Sequence, residues 1–239
     1  MKLTRIIIAG CGILSALLLI QGCKKDLNIK VPENPDLTNQ ATVQVYNSML
    51  GSNRTYVFMD GAPVTGAALG YGTSFPASAY SFRVPAGLRA FVIKDTQANS
   101  LQQQLVFSEN FQANKSYTVF VYDTTTVPKQ VTVPTNIQIP NDTTARVRFA
   151  NFEYNPVATL PVDVWSVKRK ENVWSGIIRT QVTDFIPFAS AKSDTLLVRV
   201  AGTTTLLAQL NAFNPTQKRS YTVVYRGWAT KAVASFANY

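Results

Sequence analysis

The sequence predicts an all-β protein built from two antiparallel β-sandwiches in tandem, and three observations lead there. Short runs alternate apolar and polar residues, arriving roughly every 8–14 residues with no sustained 3.6-residue period. Val, Thr and Tyr are abundant and aromatic residues reach 11% of the 239 positions, a composition that fits pleated, half-buried surfaces. The second half also repeats the first at an offset of 104 residues. A period that long means tandem domains rather than a solenoid of short units.

The chain begins with Lys2 and Arg5, followed by an apolar run from Ile6 to Ile20. At about 1.5 Å per residue that run makes roughly 22 Å of helix, short of the ~30 Å hydrocarbon core of a bilayer. The pattern is therefore read as a secretory signal rather than a membrane span. Leu19-Ile20-Gln21-Gly22-Cys23 then resembles the bacterial lipobox. The resemblance implies diacylglycerol transfer to the Cys23 thiol, cleavage after Gly22 and acylation of the new amino terminus. Residues 1–22 are thus expected to be a lipoprotein signal peptide, and Cys23 the lipidation site. The expected location is the outer membrane, lipid-anchored, on either its periplasmic or its surface face. Residues 23–40, with Pro32 and Pro35 and few apolar side chains, read as an extended lipidated tether.

From Ala41 the alternation starts. Val43 and Val45 face one way and Gln44 and Tyr46 the other, as in a strand with one face on a core. Tyr56-Val57-Phe58-Met59 follows, closed by the turn signal Asp60-Gly61. Gly66-Ala67-Ala68-Leu69-Gly70-Tyr71-Gly72 reads as a flexible loop, since it lacks the lysine and the strand–loop–helix context of a phosphate loop. Further strands are expected around Tyr80–Val84, Leu88–Lys94, Gln103–Ser108 and Ser116–Tyr122, with Val131-Thr132-Val133 as a last edge strand. The first domain is set at 41–134, a linker rich in Pro and Thr at 135–144, and the second domain at 145–239. The repeat aligns Ala41, Val43 and Asn47 with Ala145, Val147 and Asn151, and Ser116-Tyr117-Thr118-Val119 with Ser220-Tyr221-Thr222-Val223. Asn110 matches Asn214, and Lys115 matches Arg219.

Three stretches carry a family resemblance: Ala145-Arg146-Val147-Arg148-Phe149-Ala150-Asn151, Pro161-Val162-Asp163-Val164-Trp165 and Tyr221-Thr222-Val223-Val224-Tyr225. Together they resemble the domain of unknown function 4397, which occurs in envelope lipoproteins of the Bacteroidetes. The resemblance implies immunoglobulin-like β-sandwiches, frequently in tandem, and brings no catalytic or binding residues with it. The first repeat keeps the strand and turn of Tyr56–Gly61 but lacks the Pro-Val-Asp lead of the second.

Chemistry is bounded by what is missing. There is no histidine, and Cys11 and Cys23 are the only cysteines. Beyond Cys23 this excludes disulfides, Cys-based metal sites and every Ser–His or Cys–His pairing. No acidic loop has calcium-binding spacing, and no carboxylate pair stands out as a glycosidase site. The reading expects no enzyme activity, no cofactor and no metal. Net charge is +10 and remains strongly basic once residues 1–22 are removed, which suits solubility or an anionic partner.

Aromatic side chains are the candidate ligand contacts. Trp165, at a strand position, is expected in the core. Trp174, after the polar stretch Lys168–Asn172, and Trp228, beside Arg226-Gly227, are expected to be exposed contacts. Asp123-Thr124-Thr125, Asp142-Thr143-Thr144 and Asp194-Thr195-Leu196 resemble the O-glycosylation acceptor of Bacteroidetes envelopes, which would make Thr124, Thr143 and Thr195 acceptors. Ordinary Asp-Thr turns are the other reading of the same triplets. The expected function is a non-catalytic binding or scaffolding module held at the membrane through Cys23. Polysaccharide or an envelope protein is the candidate partner, and nucleic acid is not expected. The alternative is an accessory or catalytic component of glycan degradation.

Overall fold

Period-2 alternation makes each strand two-faced, and in the central strands of this protein both faces are buried. The structure is a computed structural model that describes residues 37–136 and 139–239; Cys23, the signal segment and most of the expected tether lie outside the described residues. The first half contains β1 (Gln40–Asn47), β2 (Tyr56–Met59), β3 (Ala62–Pro63), β4 (Ser74–Phe75), β5 (Phe82–Pro85), β6 (Gly87–Lys94), β7 (Leu105–Phe111), β8 (Ser116–Thr124) and β9 (Val127–Pro134). The second contains β10 (Ala145–Glu153), β11 (Val162–Ser166), β12 (Glu171–Ile177), β13 (Ile186–Phe188), β14 (Asp194–Val200), β15 (Leu206–Phe213), β16 (Ser220–Gly227) and β17 (Lys231–Ala237).

Each half is a two-sheet sandwich. In the first, β4 and β5 pair with β1, which continues through β8 to β9, and the facing sheet runs β3-β2-β6-β7. In the second, β13-β10-β16-β17 faces β12-β11-β14-β15. The pairing is antiparallel throughout except that β1 lies parallel to β8 and β10 parallel to β16. A parallel neighbour needs a long crossover, here the strands between the two partners.

The residues that mark the repeat are those that set this geometry. Asn47 and Asn151 are fully buried at or near the ends of β1 and β10. Asn47 donates to the Leu69 carbonyl, and Asn151 donates to that of Ile177, so each amide bridges to a neighbouring segment. Tyr117 and Tyr221 each accept a backbone N–H from five residues upstream, Gln112 and Thr216, at 3.1 Å. This is the tyrosine-corner arrangement of immunoglobulin-like sandwiches. Asn114 and Lys218 hold the matching loops with φ of 61° and 60°.

Three hydrophobic cores result. Val43, Val45, Val57, Phe91, Ile93, Val119 and Val121 fill the first sandwich. Val147, Phe149, Val164, Trp174, Val198, Val223 and Tyr225 belong to the core of the second. The third core lies between the sandwiches, where Tyr46 and Phe120 meet Ala150, Phe152, Val224 and Phe236. Tyr46 stacks on Phe236 at 4.9 Å and Phe120 on Phe152 at 4.7 Å. The expectation of a half-exposed first strand is corrected here: Gln44 and Tyr46 are buried because the second sandwich covers that face. Leu37–Tyr239 is accordingly one compact unit of four stacked sheets.

Polar groups complete the contact. Gln44 Nε2 donates to the Ala237 carbonyl at 3.2 Å, and Gln44 Oε1 accepts from Asn238 Nδ2 at 3.0 Å. The backbone of Ala79 donates to Ala237 at 2.8 Å. The connector also packs: Thr135 is buried and its hydroxyl lies 2.7 Å from that of Thr118. The 66–72 segment, expected as a flexible loop, is tied down as well. Leu69 enters the first core and donates its N–H to Thr55, while Gly72 donates to Asn47. Among the described residues no helix is long and apolar enough to cross a membrane.

Candidate functional site

The outward face of the β12-β11-β14-β15 sheet carries the arrangement with the clearest chemistry. Along β11, Val162 and Val164 point into the second core. Alternation therefore sends Asp163 and Trp165 outward. Asp163 stands opposite Arg199 on β14, while Trp165 stands opposite Asn172 on β12 and Leu197 on β14. The Arg199 guanidinium carbon lies 4.9 Å from the centre of the Trp165 ring. These side chains, with Gly202, Thr203 and Thr204, line a shallow groove of about 590 Å³.

Asp163 supports this face rather than reacting on it. Its carboxylate accepts from the N–H groups of Gly176 and Gly202, both at 2.8 Å, and from Asn172 Nδ2 at 3.2 Å. The contacts tie β11 to β12 and to the β14–β15 turn, which fixes Asn172 beside Trp165. Other buried acids are similarly committed. Asp194 accepts from Ser166 Oγ at 2.5 Å and Lys168 N at 3.0 Å. Asp123 pairs with Lys129 at 2.9 Å and Arg179 at 3.3 Å, and Glu153 pairs with Lys231 at 2.6 Å. Among the described residues no group of three His, Cys, Asp or Glu could hold a metal ion.

The tryptophans exchange the roles expected of two of them. Trp174 is 7% exposed and packs at 5.8 Å on Phe149, so its ring is a core element and is not offered to a ligand. The polar stretch before it divides between the β11–β12 turn at 167–170 and the start of β12, which carries Trp174 inward. Trp165, expected in the core, is half-buried on the outer face. The signal was available: Val162 and Val164 are in phase, and Trp165 is in phase with Asp163. Trp228 is 52% exposed, as expected, at the β16–β17 turn. Its ring meets Tyr154 edge-on at 6.1 Å, and Arg179 lies 5.5 Å over Tyr154.

The acceptor-like threonines fall in three settings. Thr143 is exposed in the turn where Asp142 Oδ1 accepts from Thr144 N at 2.9 Å, an ordinary Asx turn. Thr124 closes β8, its hydroxyl 3.1 Å from that of Thr126. Thr195 lies within β14, half-buried. Cys23 lies outside the described residues.

Two clefts remain. One of about 610 Å³ opens beside β7 and β9, with Glu109, Asn110, Lys115 and Thr132 in its lining. The other, of about 450 Å³, lies between the sandwiches around Arg148.

No family model matches the sequence, and no curated protein matches it. Among solved structures, the chain is similar to a carbohydrate-binding module of family CBM26 from Eubacterium rectale Amy13K in complex with maltoheptaose. That likeness has a TM-score of 0.28 at 9% identity, covering 82% of this chain and 96% of that one. It is also similar to family 41 carbohydrate-binding modules from streptococcal virulence factors, at a TM-score of 0.25 and 13% identity, covering 81% of this chain and 96% of that one. At these scores the likeness assigns neither ligand nor site to this chain.

Proposed function

We propose that the protein is a non-catalytic glycan-binding module, held at the bacterial outer membrane by lipidated Cys23. The observation that carries the reading is Trp165, which presents part of a planar apolar ring on an outer sheet face, flanked by Arg199 and Asn172 over a shallow groove. A pyranose ring has an apolar face of C–H groups and a rim of hydroxyls. An indole with donors and acceptors at its edge matches both at once. Commitment of the buried carboxylates to structural partners supports binding rather than hydrolysis. The lipobox supports the anchoring.

Affinity electrophoresis of the full chain through gels containing neutral soluble polysaccharides tests the reading. At least one polysaccharide is expected to retard the protein, and Trp165→Ala should weaken that retention about tenfold or more, the range of a central aromatic contact. Trp228→Ala should leave it in place. Absence of retardation by every neutral polysaccharide, or retention indifferent to Trp165→Ala, overturns it.

A further inference from the structure

We infer that the cleft between the two sandwiches, floored by Arg148 and rimmed by Arg146 and Asp184, binds the carboxylate of an acidic sugar residue. The ligand's identity as a sugar rests on the glycan-binding reading above; the site itself is independent of Trp165.

Arg148 projects from β10 into the contact between the sandwiches and is 2% exposed. Each hydrogen-bond acceptor around it is neutral. Nε donates to Thr222 Oγ1 at 2.9 Å, and Nη2 donates to Thr118 Oγ1 at 2.9 Å and Thr135 Oγ1 at 3.3 Å. Nη1 donates to the Pro134 carbonyl at 3.2 Å and carries a second N–H. The guanidinium carbon also sits 4.7 Å over Phe185 and 5.9 Å from Phe120. Among the described residues it forms no ion pair. Burying a cation out of ion-pair contact is costly; burial lowers the pKa of Arg148, and the nearby Asp184 carboxylate offsets this only in part.

Arg148 lines an open cleft of about 450 Å³, with Arg146, Thr183, Asp184, Phe185 and Asn136 around it. That volume lies within the roughly 300–1,000 Å³ range of small-ligand sites. Arg146 adds a second positive charge, ion-paired with exposed Asp142 at 3.7 Å and donating also to the Thr144 hydroxyl. A carboxylate entering here would meet two guanidinium groups that can bind its oxygens directly. Arg148 covers one face of Phe185, and the Thr183 hydroxyl is bound to the backbone of Phe149 and Asp184, so Asn136 is the lining amide left to meet the sugar's hydroxyls. Asp184 is the one acid in the lining and opposes the incoming charge. Because both sandwiches contribute walls, the site exists only when they are stacked.

Calorimetric titration of the full chain with trigalacturonate tests this, with neutral trigalactose as control. Saturable trigalacturonate binding is expected, weakening about tenfold between low and high salt as a charge-dominated contact should. Arg146→Gln should weaken it about fivefold or more and Asp184→Asn should strengthen it, each on a protein whose circular dichroism is unchanged. Trp165→Ala should not alter it. Arg148 itself is left intact because its bonds join the sandwiches. Absence of trigalacturonate binding, or binding indifferent to both Arg146→Gln and Asp184→Asn, overturns the proposal. Failure of neutral polysaccharide retention instead strikes the Trp165 reading alone.

Discussion

Gly72 shows how one residue can be dictated by a contact far away in sequence. Its φ is +76°, and a Cβ built there would lie 2.1 Å from Arg226 of the second half. The Arg226 guanidinium carbon sits 4.8 Å over the ring of adjacent Tyr71, so the two halves meet at this glycine. Gly72→Ala is expected to cost more than about 1 kcal/mol, because both backbone strain and the displaced guanidinium oppose it. A urea unfolding curve measures this, and an unchanged midpoint would show that Arg226 moves aside freely. Asn47 and Asn151 make a similar point within each half. Their recurrence at an offset of 104 was visible in the sequence, but the carbonyls of Leu69 and Ile177 that they reach were not.

Turns and strands behave as elements with their own electrostatics. Asp60, in the β2–β3 turn, accepts from Ala90 N at 3.0 Å and from Arg89 at 3.1 Å. Those bonds lower its carboxyl pKa below 3.8, the backbone contact leading. Asp95 is lowered chiefly by the N–H of Gln97 and Asp142 chiefly by the Thr144 hydroxyl. A carboxyl whose folded pKa is depressed adds stability that is present above its unfolded pKa and lost as pH falls through the folded value. Thermal stability should therefore drop as pH is lowered from about 5 through the carboxylate range, and Asp60→Asn should flatten part of that drop. Parallel curves for the two proteins would contradict the assignment. Strand phase was also legible at this scale. Asp60-Gly61 announced its turn, and Val162 and Val164 announced which face of β11 is apolar. Trp174 departs from the exposure its polar neighbours suggest, because Val167–Lys170 is a tight turn and Glu171 and Asn172 already belong to β12.

Across the whole molecule, the third core couples the two sandwiches. Phe120 contributes to it from β8, packed on Phe152. Phe120→Ala should destabilise the protein by about 3–5 kcal/mol, the range for a large aromatic lost from a core. The three tryptophans all lie in the second half, so indole fluorescence reports that sandwich, whereas far-ultraviolet circular dichroism reports both. The two signals should coincide during denaturant unfolding of the native protein and separate in Phe120→Ala. Separate transitions in the native protein would mean that the sandwiches unfold independently despite the shared core. Attachment is tested separately. If Cys23 is the lipidated residue, as proposed, Cys23→Ser should shift the protein from the membrane fraction to the soluble one. Each buried methylene of an acyl chain contributes only about 0.8 kcal/mol, and stable anchoring takes more than one chain. Membrane retention of Cys23→Ser would point to another anchor.

Most strands and turns, the duplication and the absence of histidine are legible in the chain alone. Each of these depends on residues adjacent in the chain or on composition. Alternation with period 2 and turn chemistry are local physics, so they survive without knowledge of the partner strand. It takes packing between distant segments to bury Gln44 and Tyr46, to set Arg148 in the lining of a cleft and to place Trp165 beside a groove with Arg199. Those outcomes depend on which surfaces meet across separations as large as the 194 residues between Gln44 and Asn238. An apolar or polar face carries no label naming the sheet that will cover it.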